Sequence, residues 1–430
     1  MSKIIGVDTA NIDSIAGLGT GGGGGGITPV PSTTNSGILL CPTNAGLKDP
    51  YSAGELSSYS NPVHMYQISN LTGVVKICQG SYFWGVLLSN GNLYVGGSAN
   101  ASYLGVDSTT ATNLVNNGGL ALSLSGVSKF TSIGNGIFAI KTNGELWWAG
   151  STNGLLDNTG TGQGTTSSFY GWTRVGSDSD WYDIDAYPQY PVQAIAIKGS
   201  AGSRYLYACG PNTNYGTGQG TNSGSILSWT RVKSAASTDL SESFSKISIS
   251  YASCLAVTDG GKLFSWGENQ YGLLGSGNTT DKPYATQVGA DEDWTNCWAC
   301  RFGGFALKSN STLYMSTSWS AWRIEPSTSS QFTQIGNDQN YQDIALFNTT
   351  SSSMNYAVFA KKAGSWYVSA NSVSAGSWAG SSYWSGSSEG SWTAINDALT
   401  ENDITGTIDY VFPFYSVSNN NEPQVMFAVS

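Results

Sequence analysis

A short hairpin pattern that returns every 50 to 60 residues constrains this chain more than any other feature. Its clearest copy spans Leu255 to Val288. An apolar run at Cys254–Val257 leads to a turn at Asp259-Gly260 and a second run at Lys262–Trp266. A corner carrying Gly267, Gly272, Gly275 and Gly277 follows, and a returning run ends at Thr286–Val288. Asp-Gly between two alternating apolar runs is a strong hairpin signal. Glycines at the corner allow positive φ and close backbone approach, so its shape is defined.

The Leu-aromatic…Gly strand recurs at Leu93-Tyr94…Gly97, Leu146-Trp147…Gly150 and Leu206-Tyr207…Gly210, and more weakly at Leu313-Tyr314 and Trp366-Tyr367. Each copy follows an apolar strand: Trp84–Leu88, Ile137–Lys141, Ala194–Lys198, Ser253–Val257, Gly304–Lys308 or Tyr356–Lys361. Two neighbouring units also share Gly-Thr-Gly-Gln-Gly-Thr (160–165 and 216–221) and Trp-Thr-Arg-Val (172–175 and 229–232). A period of this length means that each unit buries its apolar face against its neighbours.

Six units are visible, and the two ends supply the halves of another. Val425–Val429 reads as a strand lacking the hairpin partner that should follow it. Ile38–Cys41 lacks the strand that should precede it, and Tyr66-Gln67-Ile68 reads as a returning strand behind it. The expected fold is therefore all-β: a seven-bladed β-propeller over residues 38–430, its ring closed by a blade shared between the N- and C-terminal segments. Such closure removes exposed sheet edges. Residues 1–37 are expected to form an extended glycine-rich arm for docking, with Ile4, Ile5, Val7, Ile12, Ile15 and Leu18 as its contacts and a glycine run at 21–26.

The composition narrows the function. Charged residues make up only 11% of the chain, and the net charge is −10. An acidic, weakly charged surface argues against nucleic acid as a partner, since that needs a basic footprint. No apolar run reaches the roughly 18 residues needed to span a bilayer, so membrane insertion is not expected. The first residues lack an apolar signal core, which points to synthesis in a cytoplasm without export. The six cysteines fall mostly in strand-like runs and are expected to be buried free thiols.

Catalytic patterns are weak throughout. The single histidine, His64, is the one base available to any serine or cysteine triad. Gly386-Ser-Ser-Glu-Gly390 matches Gly-x-Ser-x-Gly only within a Ser/Gly-rich run, without the strand-turn-helix setting. Cys297 and Cys300 sit three apart in a strand, which points them to opposite faces and prevents chelation. Asp291-Glu292-Asp293 lacks the alternating oxygen ligands of a calcium loop. The 21–26 glycine run is not followed by Gly-Lys-Ser/Thr, so it is no phosphate cradle. The chain is expected to be no enzyme, with no catalytic residue, metal or cofactor.

The segment Leu255–Gly277 resembles one repeat of the regulator-of-chromosome-condensation family of β-propellers. That resemblance implies the propeller and nothing catalytic. The family's founding member is a chromatin-binding nucleotide-exchange factor, an activity that an acidic chain without a basic tail is not expected to share. The arm pattern Ile4-Ile5-Gly6-Val7…Ile12…Ile15-Ala16-Gly17, followed by glycines and a Ser/Thr/Asn-rich β body, resembles structural proteins of tailed bacteriophages, especially marine ones. This second resemblance implies a virion component assembled in the host cytoplasm. Its arm would dock to other virion proteins, and its propeller would be displayed as a tail fibre, baseplate or neck appendage for host attachment. Within the Ser/Gly/Trp-rich insertion 371–392, Trp378, Tyr383 and Trp384 are the expected contacts to a host-surface glycan or protein. Capsid decoration and a cellular regulatory, protein-binding propeller are the alternatives.

Overall fold

The computed structural model describes residues 37–41, 47–48, 55–56, 66–69, 72–80, 83–97, 105–107, 110, 120–134, 136–150, 169–187, 193–318, 329–346, 357–370, 392–395, 407–415 and 423–429. Their dominant element is the antiparallel β-strand, arranged in seven four-stranded sheets.

Six of these sheets are blades of four consecutive strands. Blade A holds Val74–Gln79, Phe83–Leu88, Leu93–Gly97 and Ala121–Leu124. Blade B holds Val127–Ile133, Gly136–Lys141, Leu146–Gly150 and Phe169–Arg174. Blade C holds Trp181–Ala186, Ala194–Lys198, Tyr205–Pro211 and Ser225–Arg231. Blade D holds Phe244–Ser250, Ser253–Thr258, Leu263–Gly267 and Lys282–Gln287. Blade E holds Trp294–Cys300, Gly303–Lys308, Leu313–Thr317 and Ser329–Gln334. Blade F holds Tyr341–Leu346, Ala357–Lys362, Ser365–Ala370 and Thr393–Ala394.

Six blades of consecutive strands thus stand where seven blades were expected. The remaining four-stranded sheet is composite, ordered Ile408–Tyr415, Pro423–Val429, Gly37–Cys41 and Tyr66–Ser69. Leu39 pairs with Phe427 on one side and Gln67 on the other. Chain connectivity explains the difference, because no hairpin can link strands drawn from opposite ends of the sequence.

The chain divides into two compact units. One comprises Met1–Gly126, Asp343–Phe347 and Ser353–Ser430; the other comprises Val127–Gln342 and Asn348–Ser352. In the first unit, Lys361 Nζ and Trp366 Nε1 donate to the Asp409 carbonyl at 3.1 and 3.2 Å, tying blade F to the composite sheet. The second unit contains blades B to E and everything described below as a candidate site.

Its core lies between successive blades. Phe138 and Trp148 of blade B meet Trp181 and Ile184 of blade C. Ile197 and Leu206 of blade C meet Phe244 and Trp266 of blade D. Leu255 and Leu263 of blade D meet Trp294 and Cys297 of blade E. The first strands of adjacent blades are also bonded to one another. Asp185 Oδ2 accepts from the Ile249 amide, and Ser248 Oγ accepts from the Ala299 amide, both at 3.0 Å.

The hairpin turns differ from the two-residue Asp-Gly form suggested by the sequence. In blade D the Thr258 amide donates to Lys262 O and the Gly261 amide to Thr258 O, so the loop is Asp259-Gly260-Gly261 and Gly261 takes φ +82°. A three-residue loop needs a left-handed residue at its end, and glycine supplies it most cheaply.

Candidate functional site

The two ends of blades B to E are built differently. At the end carrying the Asp259–Gly261 turn, one device recurs. Lys198, the last residue of its strand, lies over the Trp181 and Tyr207 rings and pairs with Asp178. Lys308 does the same over Trp294 and Tyr314, paired with Asp291 at 2.8 Å and Asp293 at 3.0 Å. Burial opposes the charge on Lys308, but the hydrogen bonds to the two aspartates outweigh it and hold the ammonium above its ordinary range. The acidic run Asp291–Asp293 is therefore a lysine clamp, and this end reads as closed structural packing.

The opposite end carries a different arrangement. Ser253 pairs with Gly267, so the Tyr251-Ala252 turn and the corner after Gly267 emerge side by side. Asn269 organises that corner. Its Oδ1 accepts from the Leu274 amide at 3.0 Å, and its Nδ2 donates to Asn278 O at 2.8 Å and Thr280 O at 3.1 Å. Its own amide donates to Asp281 Oδ1 at 2.8 Å. Asn212, at the same place in blade C, is likewise fully buried and bonded to Thr217 and Thr221.

Both central residues of the Tyr251-Ala252 turn have positive φ, 44° and 69°. Turns of this kind favour Asn-Gly, and each ordinary side chain held there costs about 1 kcal/mol or more. Ala252 is fully buried. Its carbonyl accepts from the Glu268 amide at 3.1 Å, and Ser253 Oγ donates to Glu268 O at 2.8 Å. Those bonds fix a side chain that the local backbone would not choose.

Four residues from three blades gather here. The Arg301 guanidinium of blade E lies 4.0 Å from the centre of the Tyr251 ring of blade D. The Tyr187 ring of blade C meets Tyr251 edge-on, with centroids 6.0 Å apart. Tyr187 is fully buried and its hydroxyl has no hydrogen-bond partner among the described residues. Burial pushes that phenol well above its usual range, while Arg301 pulls it down. Glu268 is half-buried. Desolvation raises its carboxyl to about 7, Arg301 opposes that rise, and Asp281 adds to it.

The shift carries a stability consequence. Between the ordinary 4.5 and about 7, the folded chain holds a proton at Glu268 that the unfolded chain has released. Stability is therefore greatest below 4.5 and falls as pH rises towards 7. Discounted for partial exposure, the loss is about 1–2 kcal/mol. Glu268→Gln should be more stable than the parent at pH 8 by about that amount and nearly equal to it at pH 4.5. Urea midpoints at the two pH values measure this, and equal midpoints at pH 8 would contradict it.

The residues singled out in the sequence are not those of this corner. Ile4, Ile5, Val7, Ile12, Ile15, Leu18, Trp378, Tyr383, Trp384, His64 and the 386–390 motif are outside the described residues. Cys297 and Cys300 are buried free thiols, as expected, and burial pushes the Cys300 thiol up to about 12. The Tyr187, Tyr251, Glu268 and Arg301 corner was missed. One signal for it was present: Ser250-Tyr-Ala-Ser253 and Cys300-Arg-Phe-Gly303 place bulky residues where a hairpin normally carries Asn or Gly.

The corner organised by Asn269 is where the chain's kinship is plainest. Residues 260–295 match the regulator of chromosome condensation (RCC1) repeat. A second RCC1 repeat model matches 244–273, so the two together cover blade D and the first residues of blade E. Among solved structures, the chain is similar to Prp20p from Saccharomyces cerevisiae, a protein described by its binding properties to Gsp1p and histones. The TM-score is 0.64 at 14% identity, over 93% of this chain and 92% of that one. It is also similar to human WBSCR16, with a TM-score of 0.63 at 11% identity over 91% and 98%. Yeast RCC1 (Prp20) bound by Kap60 gives 0.58 at 16% over 83% and 80%. Identities this low speak to fold alone: the chain is an all-β propeller that carries RCC1 repeat matches over residues 244–295.

Proposed function

We propose that this chain is a non-enzymatic binding scaffold, and that it serves as a structural component of a tailed-phage virion. The observation that carries the binding reading is a corner shared by blades C to E. There an arginine and two tyrosines are held together, with Tyr251 on a turn in an unfavoured backbone conformation. Tyrosine and arginine are the side chains that dominate protein contacts, and backbone strain concentrates at functional sites.

The virion reading rests on the sequence: the apolar series from Ile4 to Leu18, the glycine run behind it, and a body with few charges. In this reading the arm docks to other virion proteins. The propeller faces outward on a tail fibre, baseplate or neck appendage, where Trp378, Tyr383 and Trp384 contact a host-surface glycan or protein. Immunogold electron microscopy of purified particles, with antibody against residues 38–430, tests it. Label at the tail or neck is the expected result. Label over the head would make the chain a capsid decoration protein, and unlabelled particles would overturn the virion reading.

A second reading, a cellular protein-binding propeller, is favoured by the likeness to Prp20p, which binds Gsp1p and histones. A net charge of −10 suits a basic protein partner. Co-purification of a folded partner, together with absence from particles, would move this reading to first place.

A further inference from the structure

We propose that the composite sheet is an exchange joint through which two copies of this chain pair, each giving its Gly37–Cys41 strand to the Pro423–Val429 strand of the other. The inference goes beyond the binding-scaffold reading and stands whether or not the chain belongs to a virion.

The six blades each join consecutive strands, so every pairing within them is local in sequence. The composite sheet consists of two local halves instead. Ile408–Tyr415 and Pro423–Val429 form one antiparallel pair, in register at seven positions. Gly37–Cys41 and Tyr66–Ser69 form the other, in register at three positions with a shift after Ile38. A single seam joins the halves: Gly37 to Cys41 runs against Val429 to Val425, five positions without a shift. Its partners, such as Leu39 and Phe427, stand near opposite ends of the sequence.

Parted at the seam, each half presents a strand edge with little protection. Gly-Ile-Leu-Leu-Cys and Pro-Gln-Val-Met-Phe-Ala-Val carry no charge, whereas free edges are ordinarily blunted by charged side chains. An unblunted edge is a template for another strand. A second copy offers the same strand in the same register, so pairing between copies makes the same backbone bonds as pairing within one. Synthesis favours the exchange as well. The first strand is finished roughly 400 residues before the last, about 20–80 s at ordinary rates, and lacks its distant partner for that time. Reciprocal exchange then fills both seams, so assembly stops at a two-fold dimer.

The test refolds the full chain from urea at two concentrations about tenfold apart and separates monomer from dimer by size exclusion with light scattering. Pairing between copies is second order and pairing within one is first order, so the dimer-to-monomer ratio should rise about tenfold. Val425→Cys then reports which chain supplies the strand. Cys41 and Val425 are register partners, and directly opposed residues of an antiparallel pair are close enough for a disulfide. After oxidation with diamide, the dimer should run as two linked chains on a non-reducing gel, and the monomer as one chain with an internal bridge. Adding Cys41→Ser should abolish both bridges, which excludes the other cysteines. A second measurement needs no new cysteine: isotope-labelled and unlabelled parent chains should form mixed dimers in native mass spectrometry when refolded together, but not when mixed after folding. A chain that stays monomeric at both concentrations would overturn the inference. A dimer whose bridge lies within each chain would do the same, and absence of any bridge in the folded variant would remove the seam itself.

Discussion

Trp266→Ala is expected to cost about 3–5 kcal/mol of stability, the range for removing a large buried aromatic side chain. Trp266 is fully buried between blades C and D, packed with Ile197, Val232, Phe244 and Ala285. Its indole Nε1 donates to the Gly216 carbonyl at 3.0 Å, and Cys254 Sγ donates to the same oxygen at 3.4 Å. A Cβ on Gly218 would sit 3.1 Å from that nitrogen, so the ring edge packs closely against Gly218. Two separate losses are combined in the alanine variant, a cavity and a buried carbonyl left with only a weak thiol donor. Trp266→Phe separates them. It keeps most of the volume and should cost about 1–3 kcal/mol, much of it the lost hydrogen bond. Urea denaturation followed by far-UV circular dichroism gives both values. An alanine variant within 1 kcal/mol of the parent would contradict the claim that this contact joins the two blades.

Trp266 also shows why the repeat was legible in the sequence. Blades bury the same positions, so selection for burial writes a period into the chain: Leu93, Leu146, Leu206, Leu263 and Leu313 all stand at or next to the start of a third strand and are all buried. The composite sheet was readable in part, because Val425–Val429 and Ile38–Cys41 read as strands lacking a hairpin partner, while Ile408–Tyr415, which pairs with Pro423–Val429, went unread. Turn geometry was less legible, because Asp259-Gly260 fits a two-residue loop as well as the three-residue loop found.

A second recurrence went unread. Val175-Gly176-Ser-Asp178-Ser-Asp180-Trp181, Val288-Gly289-Ala-Asp291-Glu-Asp293-Trp294 and Ile335-Gly336-Asn-Asp338-Gln-Asn340-Tyr341 are one motif. Its glycines take φ of 64°, 64° and 59°, and in blades C and E its aspartates clamp Lys198 and Lys308. The spacing is visible in the sequence, but its purpose depends on lysines from the next strand. The corner of Tyr187, Tyr251, Glu268 and Arg301 was hidden for a stronger form of that reason. Its residues come from three blades, and nothing local reveals that Glu268 is desolvated.

Gly267→Ala should be as damaging as the tryptophan change, through backbone rather than volume. Gly267 ends the third strand of blade D at φ +98°, a conformation L-residues rarely adopt. A Cβ built there would lie 1.8 Å from the Ala252 carbonyl oxygen. That oxygen cannot withdraw, because it accepts the Glu268 amide and belongs to the Tyr251-Ala252 turn. Relief would have to come from moving the turn, which carries Tyr251, and with it the stacking on Arg301. The expected loss is on the order of 3–5 kcal/mol, a sum of steric overlap and the strain of positive φ. Gly260→Ala, seven residues earlier, is the matched control. Only Thr258 Oγ1, at 3.9 Å, comes near its Cβ, and its φ is not in the left-handed range. That change should be neutral or stabilise by about 0.4–1 kcal/mol by restricting the unfolded chain. Thermal denaturation of the two variants side by side separates the cases. If both lose stability equally, glycine content alone would be responsible. If only Gly267→Ala falls, the close approach of strand end and turn is what shapes the corner.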